Sequence, residues 1–474
     1  MKKTSILLLA AMLMNLTACG DSTPSADDTS PAVTESEAEA AAEPELLPER
    51  SLGGKSFRFA TYESNLPFFY TAEMNGDIVN DAVYTSVSRT MDKYDFEYET
   101  IIYGTSNGDV ESYVNTTILA GDDECDMVSG HDGVMWQLSM DNNFLNVRGN
   151  EYHYFDKPWW MTYANEELMV NGRQYVFSSY MSYKSLSAAR CLYMNTALAE
   201  DYNIAVPYDS VYNGTWTLDQ YLGMVKDFYQ DANGNGARDR EDIYGWAAYT
   251  NLYCLQATYI NCYKENAEGI VTLDFDREKL IDLTSKIGET LLSSPGGYIS
   301  GTAPDAAMFL NNKSLFYYDT LHQMTTAEFR EGSVEYTLLP LPKYDETQSD
   351  YITGTVDPHC GIPITCTDPD TAHFIVEALS IAGYDIVRPA YFDQALSAKF
   401  SQNEDMPKML QIIGDGLTLD MAYLCSSYAG TSLGRFVMNT VAGGSTDKLA
   451  STIESLLRKE QRKIDIINEF FAQE

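Results

Sequence analysis

The chain has 474 residues, with 31 Lys+Arg against 69 Asp+Glu and a formal net charge of −38. A surface so acidic is repelled by nucleic-acid phosphates and anionic lipid headgroups, which excludes both as partners. The folded part is too long for one simple core, and two lobes are expected.

Lys2 and Lys3 open the chain, and Ile6 to Leu16 is a nearly unbroken apolar run. That run is too short to span a bilayer as a helix, and small residues follow it at once. Residues 1–18 therefore read as an export signal and not a membrane anchor. Residues 20–50 hold nine acidic residues, one Arg and no aromatic. Too little apolar surface is present there to offset ordering entropy, so 19–50 reads as a disordered acidic tether.

Residues 55–129 read as βαβαβ. Phe57 and Phe59 fall on one face of a strand. Ile78, Ala82, Val83, Val87 and Met91 recur at helical spacing, Phe96 to Ile102 is strand-like, and Val110, Tyr113, Val114, Thr117 and Ile118 make a second helical stripe. Asp126 to Ser129 is a short third strand. Alternating strands and helices imply a parallel sheet covered by helices. A second segment of the same class lies near 183–300. Within it, Thr217-Leu218-Asp219-Gln220 is a capping box ahead of an apolar face from Leu218 to Tyr229. Helices are also expected over Ile375 to Ala382, capped by Asp370 and stopped by Gly383, and over Lys448 to Phe471.

Asp231, Asn233, Asn235, Ala237, Asp239 and Asp242 fit a calcium loop. Oxygen side chains occupy positions 1, 3, 5, 9 and 12, Gly236 is at 6, and Ala237 offers its carbonyl at 7. Position 12 is Asp, not Glu, and Ile243 to Tyr249 alternates like a strand. The expectation is a structural Ca2+ loop inside a larger domain, not an EF-hand pair. An Asx-rich surface loop is the plainer reading of the same residues.

Gly430-Thr431-Ser432-Leu433-Gly434 matches the nucleophile-elbow pattern, but the hydrolase triad needs a His after the Ser. All the histidines, at 131, 153, 322, 359 and 373, precede Ser432. Seven cysteines beyond Cys19 include no CxxC pair, which is neither a zinc pattern nor a disulfide scaffold. Most read as buried thiols, with at most one disulfide. The chain carries 34 Tyr. Aromatic platforms with carboxylates and amides suit sugars, although most such rings fill cores. Position selects candidates. Tyr62 and Glu63 follow the first strand, and His131 and Asp132 follow the third. Trp159 and Trp160 are adjacent, Tyr249 ends the strand after the acidic loop, and Asp357 and His359 lie further on. Carboxylate pairs are too common here to signal a glycosidase, and neither HExxH nor a P-loop is present.

Several segments carry a resemblance. Leu16-Thr17-Ala18-Cys19 resembles a bacterial lipobox, with Cys19 as the lipidated residue. Asp156-Lys157-Pro158-Trp159-Trp160, Tyr193-Met194-Asn195, Asn213-Gly214-Thr215-Trp216-Thr217-Leu218-Asp219, the loop from Asp231 to Gly245, and Leu339-Pro340-Leu341-Pro342-Lys343-Tyr344-Asp345 are similar, in order, to segments of extracellular solute-binding lipoproteins of ABC importers. The likeness is to a family 1-like, clostridial-type subgroup. It implies a two-lobed α/β periplasmic-binding-protein-like fold with a central inter-lobe cleft. Lobe 1 would be 51–182 plus 300–337, and lobe 2 would be 183–299 plus 338–474. It also implies a monomeric, non-enzymatic lipoprotein on the extracellular face of the cell membrane, capturing a carbohydrate-type solute for ABC permease subunits. A ligand-sensing lipoprotein and a surface glycoside hydrolase are the alternatives.

Overall fold

The computed structural model describes residues 47–106, 108–356, 358–426 and 432–473. Residues 1–46, and with them the export signal, Cys19 and nearly all of the expected tether, lie outside the described residues. The end of the expected tether is among the described residues. Leu47 is buried, and Arg50 pairs with Asp370 at 2.9 Å.

The expected βαβαβ run is present as β1 (Lys55–Tyr62), α1 (Ile78–Tyr94), β2 (Phe96–Gly104), α2 (Asp109–Ala120) and β3 (Met127–Gly130). β1 pairs in parallel with both β2 and β3. Asp77 caps α1 by accepting from the Val79 and Asn80 N–H groups, which have no partner inside the helix. Val79, Ala82, Val83 and Val87 face inward from α1, as their spacing predicts, and Phe57 and Phe59 are buried from β1. Helix α3 (Asp132–Met140) follows β3 after a single residue, His131. Strand His359–Gly361 adds to β3 in antiparallel register, completing a four-stranded sheet. Helix Pro369–Ala382 supplies Phe374, Ile375 and Leu379 to the core beneath that sheet.

The second sheet holds β4 (Arg190–Asn195), β5 (Tyr229–Gln230) and β6 (Ile243–Tyr249), with strands Ser314–Thr320 and Tyr336–Leu339 and an outlying Gly297–Gly301 beside β6. Thr217 caps the helix Leu218–Lys226, its side chain accepting from Gln220 N–H, as the capping-box pattern predicts. Strand pairing redistributes the expected lobe segments. Ser314–Thr320, expected in lobe 1, and Tyr336–Leu339, which the expected boundary divides, hydrogen-bond to β4 in the second sheet. His359–Gly361, expected in lobe 2, sits in the first. Ser314–Thr320 is buried along nearly its whole length, which suits a central strand, but its partners β4 and β6 are far away in sequence and no local pattern names them.

Two helix ends depart from expectation. The cap of Pro369–Ala382 is Asp368, which accepts from Thr371 N–H, and not Asp370. Gly383 does not stop the helix. Its φ is −66°, and the chain continues into π-helical turns at Gly383–Val387. Glycine is required there because a Cβ would lie 2.0 Å from the Tyr180 carbonyl oxygen. The C-terminal helix, Leu449–Phe471, is as expected. The seven described cysteines are all unbridged thiols, six buried and Cys425 half-buried. Among the described residues, no helix is long and apolar enough to cross a membrane.

Candidate functional site

A cavity of about 430 Å³ opens where strand ends of the two sheets meet, lined by Tyr62, His131, Asp132, Lys184, Arg190, Tyr253, Val356, Pro358, Tyr423 and Arg435. From the first sheet come Tyr62, which ends β1, and His131 and Asp132, which leave β3 for α3. From the second come Arg190, which opens β4 opposite Thr320, and Tyr253, shortly after β6. Such strand ends are where α/β sheets place ligands.

The electrostatics are built around two buried pairs. His131 Nδ1 lies 2.8 Å from Asp132 Oδ1. The carboxylate raises the His131 pKa, with burial opposing. Burial alone would raise that of Asp132, but His131, aided by His359 and the Gly133 N–H, holds it below the usual carboxylate range. Each group thus favours the charged form of the other. Tyr62 stays protonated, its pKa pushed up to about 12 by burial and by Asp132.

The second pair is Arg190 with Asp319, at 3.3 Å. Arg190 Nη1 also donates to Tyr249 Oη at 3.3 Å. Its guanidinium carbon lies 5.7 Å and 5.9 Å from the ring centroids of Tyr253 and Tyr318, within cation–π reach. Asp319 is satisfied in turn by Gln323 Nε2 at 3.0 Å, Thr320 N–H at 2.8 Å and the Tyr317 hydroxyl.

The candidate residues thus fall into three groups. Tyr62, His131 and Asp132 reach the cavity wall. Tyr249 and His359 sit behind it, 1% and 0% exposed. Tyr249 steadies Arg190, and His359 bonds Ser178 Oγ at 2.9 Å. Burial pushes the His359 pKa down to about 4, so its ring is neutral at pH 7. Glu63 is exposed and is not among the lining residues. Asp357 lies outside the described residues.

The tryptophan pair is elsewhere. The indole N–H groups of Trp159 and Trp160 both donate to the Glu377 carboxylate, at 2.6 and 2.8 Å. Trp160 is buried against His153, Phe155 and Phe177. The pair anchors its loop to helix Pro369–Ala382 and offers no stacking face to the cavity, correcting the sequence expectation. Trp160 instead borders a separate cavity of about 240 Å³ with Met161, Tyr180 and Arg388.

Lys184, Arg190, Tyr253, Tyr423 and Arg435 were not foreseen. A lone Arg opening the otherwise uncharged strand Arg190–Asn195 is the one signal available in sequence.

The acidic loop turns through Gly234 and Gly236, with φ of 70° and 72°. Asp231 accepts from both glycine N–H groups, at 2.7 and 2.8 Å. Asn233 and Asn235 gather on Asp239, and the expected strand follows as β6. Asp242 lies on the inner side of the loop. It is buried and accepts from Tyr229 Oη at 3.0 Å and from Ala232 and Asp239 N–H at 3.2 Å. Among the described residues no three His, Cys, Asp or Glu side chains are grouped to hold a metal.

No protein-family model matches the chain, and no curated protein sequence matches it. Solved structures do. The galacto-N-biose/lacto-N-biose I-binding protein of the Bifidobacterium longum ABC transporter, in complex with lacto-N-biose, aligns at TM-score 0.57 and 13% identity, over 88% of this chain and 98% of that one. A Rhizobium etli sugar transporter protein in an open conformation gives 0.55 and 12%, over 88% and 100%. A Thermotoga lettingae solute-binding protein bound to α-D-tagatose gives 0.52 and 11%, over 87% and 100%. The fold is that of ABC-transporter solute-binding proteins. It is the two-lobed periplasmic-binding-protein-like fold expected from the sequence.

Proposed function

We propose that this protein captures a carbohydrate solute in the cavity beside Asp132 and Arg190 and delivers it to ABC permease subunits. One observation carries the reading: polar and aromatic side chains from both sheets converge on one cavity in this fold. A solute bridging both walls would favour the closed arrangement of the lobes, because it gains contacts there that it lacks when they part. A surface glycosidase fits less well. Asp132 is the one carboxylate among the described lining residues, and glycoside hydrolysis uses a pair. Isothermal titration against a glycan panel, with product chromatography on the same samples, is expected to show saturable binding and unchanged sugar. Release of shorter products would overturn the assignment.

The proposal includes lipid anchoring of the monomer through Cys19 to the outer face of the cell membrane. Several acyl chains, each gaining about 0.8 kcal/mol per buried CH2, would hold it there. The Cys19→Ser variant should lose lipid labelling and leave the membrane fraction. Wild-type membrane partitioning by that variant would refute the anchor.

A structural Ca2+ is also proposed. Asp231, Asn233, Asn235, Asp239 and the Ala237 carbonyl would hold it, with Asp242 left to brace the loop from inside. A ligand of the folded state alone raises stability by RT ln(1 + [L]/Kd), about 2.7 kcal/mol at a hundredfold excess over Kd. Ca2+ added after EDTA treatment should therefore raise the Tm, and Asp231→Ala should abolish the rise. A Tm indifferent to both reagents would remove the ion from the account.

A further inference from the structure

We infer that the cavity bordered by Trp160 is a second saccharide site, one that takes a single neutral hexose ring. It shares no described lining residue with the cavity beside Asp132, and the inference stands on its own residues. Four stretches of chain build it: the loop over 158–163, residues 180–186, the region from Gly383 to Phe400, and the end of helix Met406–Asp415.

The walls are unusual and fixed. Two π-helical runs, Gly383–Val387 and Ala390–Phe400, flank Arg388. Turns of this width are rare and recur at functional sites. Trp160, held by its bond to Glu377, sets one wall. Helix Met406–Asp415 meets Phe392 through Gly414, where a Cβ would stand 2.9 Å from the ring.

The polar groups point to a polyol. The Arg388 guanidinium lies over the Tyr384 ring, 5.4 Å from its centroid, and makes no hydrogen bond or ion pair among the described residues. Gln411 Nε2 donates to Asp415 Oδ1 at 2.6 Å, which leaves Asp415 Oδ2 and the Gln411 carbonyl to accept. The cavity thus presents planar donors from Arg388 and planar acceptors from Asp415 and Gln411. A hydroxyl both donates and accepts, so neighbouring hydroxyls of one ring can serve all three, whereas a simple cation or anion serves one kind only. Tyr163, Tyr180 and Tyr384 line the same space and are half-buried, and such rings suit the CH face of a pyranose. The volume of about 240 Å³ is below the roughly 300 Å³ at which pockets for larger ligands begin, which leaves room for one ring and not a chain.

The test uses the signal-free protein carrying Asp132→Asn, which weakens the other cavity. The methyl glycosides of glucose, galactose and mannose would be titrated by saturation-transfer NMR, with thermal melts to show that each variant folds. At least one glycoside should bind saturably, and adding Arg388→Gln or Asp415→Asn should raise its Kd about fivefold or more. Arg388→Gln alone should leave the affinity for the tightest-binding saccharide of the glycan panel unchanged. No saturable binding of any methyl glycoside overturns the second site and leaves the reading of the Asp132 cavity intact. Binding that ignores both substitutions overturns it as well. Free leucine or sodium acetate competing at the same concentration as the glycoside overturns the saccharide assignment. Arg388-dependent glycoside binding by a protein whose Asp132 cavity takes no saccharide upholds the second site and refutes the proposed function.

Discussion

Arg190→Met is expected to lower the unfolding free energy by about 3–5 kcal/mol, the cost of stranding a buried partner charge. Arg190 and Asp319 side chains are only 8% and 4% exposed, so water cannot replace the lost guanidinium. The other donors to Asp319, from Gln323, Thr320 and Tyr317, soften the loss but supply no positive charge. Asp319→Asn combined with Arg190→Met should cost less than the two single changes together, because the double variant strands no ion. Urea melts of the four proteins give the coupling directly. Additive losses would mean that the pair does not act as a unit. Arg190→Met should also weaken solute binding, since it removes one wall of the cavity.

Glu377→Leu is expected to destabilise by a further margin of about 2–5 kcal/mol, since the Trp159 and Trp160 indole N–H groups would both lose their acceptor. Glu377 has a second signature. Burial pushes its pKa up to about 7, against the lowering effect of the two indoles. A carboxyl that holds its proton more tightly when folded adds stability below its unfolded pKa, near 4.5, and that contribution is lost as pH rises through 7. Glu377→Gln should therefore narrow the wild type's loss of stability between pH 5 and pH 8, by something on the order of 2–3 kcal/mol. His153, His359 and His373 act the other way. Burial lowers their pKa values, so the stability they confer is present above about pH 6.5 and falls as pH drops toward 4. Comparison of Glu377→Gln with wild type isolates the carboxyl from that background. Parallel stability profiles for the two proteins would contradict its role.

The parts legible in sequence are those fixed by local geometry. The periodicity from Lys55 to Gly130 dictates a parallel sheet. A parallel sheet puts Tyr62, His131 and Asp132 at one edge, and all three line the cavity. Thr217 caps its helix for reasons visible within four residues. The misses have a common cause in long-range pairing. Trp159 and Trp160 look like sugar platforms until Glu377, more than 200 residues on, takes both N–H groups. Arg190 gains its meaning only when β4 pairs with Ser314–Thr320 and brings Asp319 alongside. Tyr423 and Arg435 reach the cavity from a C-terminal region in which no sequence pattern points to a solute site.

The division between a cavity that binds and a tryptophan pair that braces is the centre of this account, and one set of titrations addresses it. Wild type, Asp132→Asn and Trp159→Phe would be titrated with the tightest-binding saccharide of the glycan panel, and their melting temperatures recorded in parallel. Asp132→Asn should lose about tenfold to a hundredfold in affinity, the scale of one charged hydrogen bond, while its Tm changes little. Trp159→Phe should lower the Tm and bind like wild type. Unchanged affinity in Asp132→Asn together with weakened binding in Trp159→Phe would place the solute elsewhere and contradict the account.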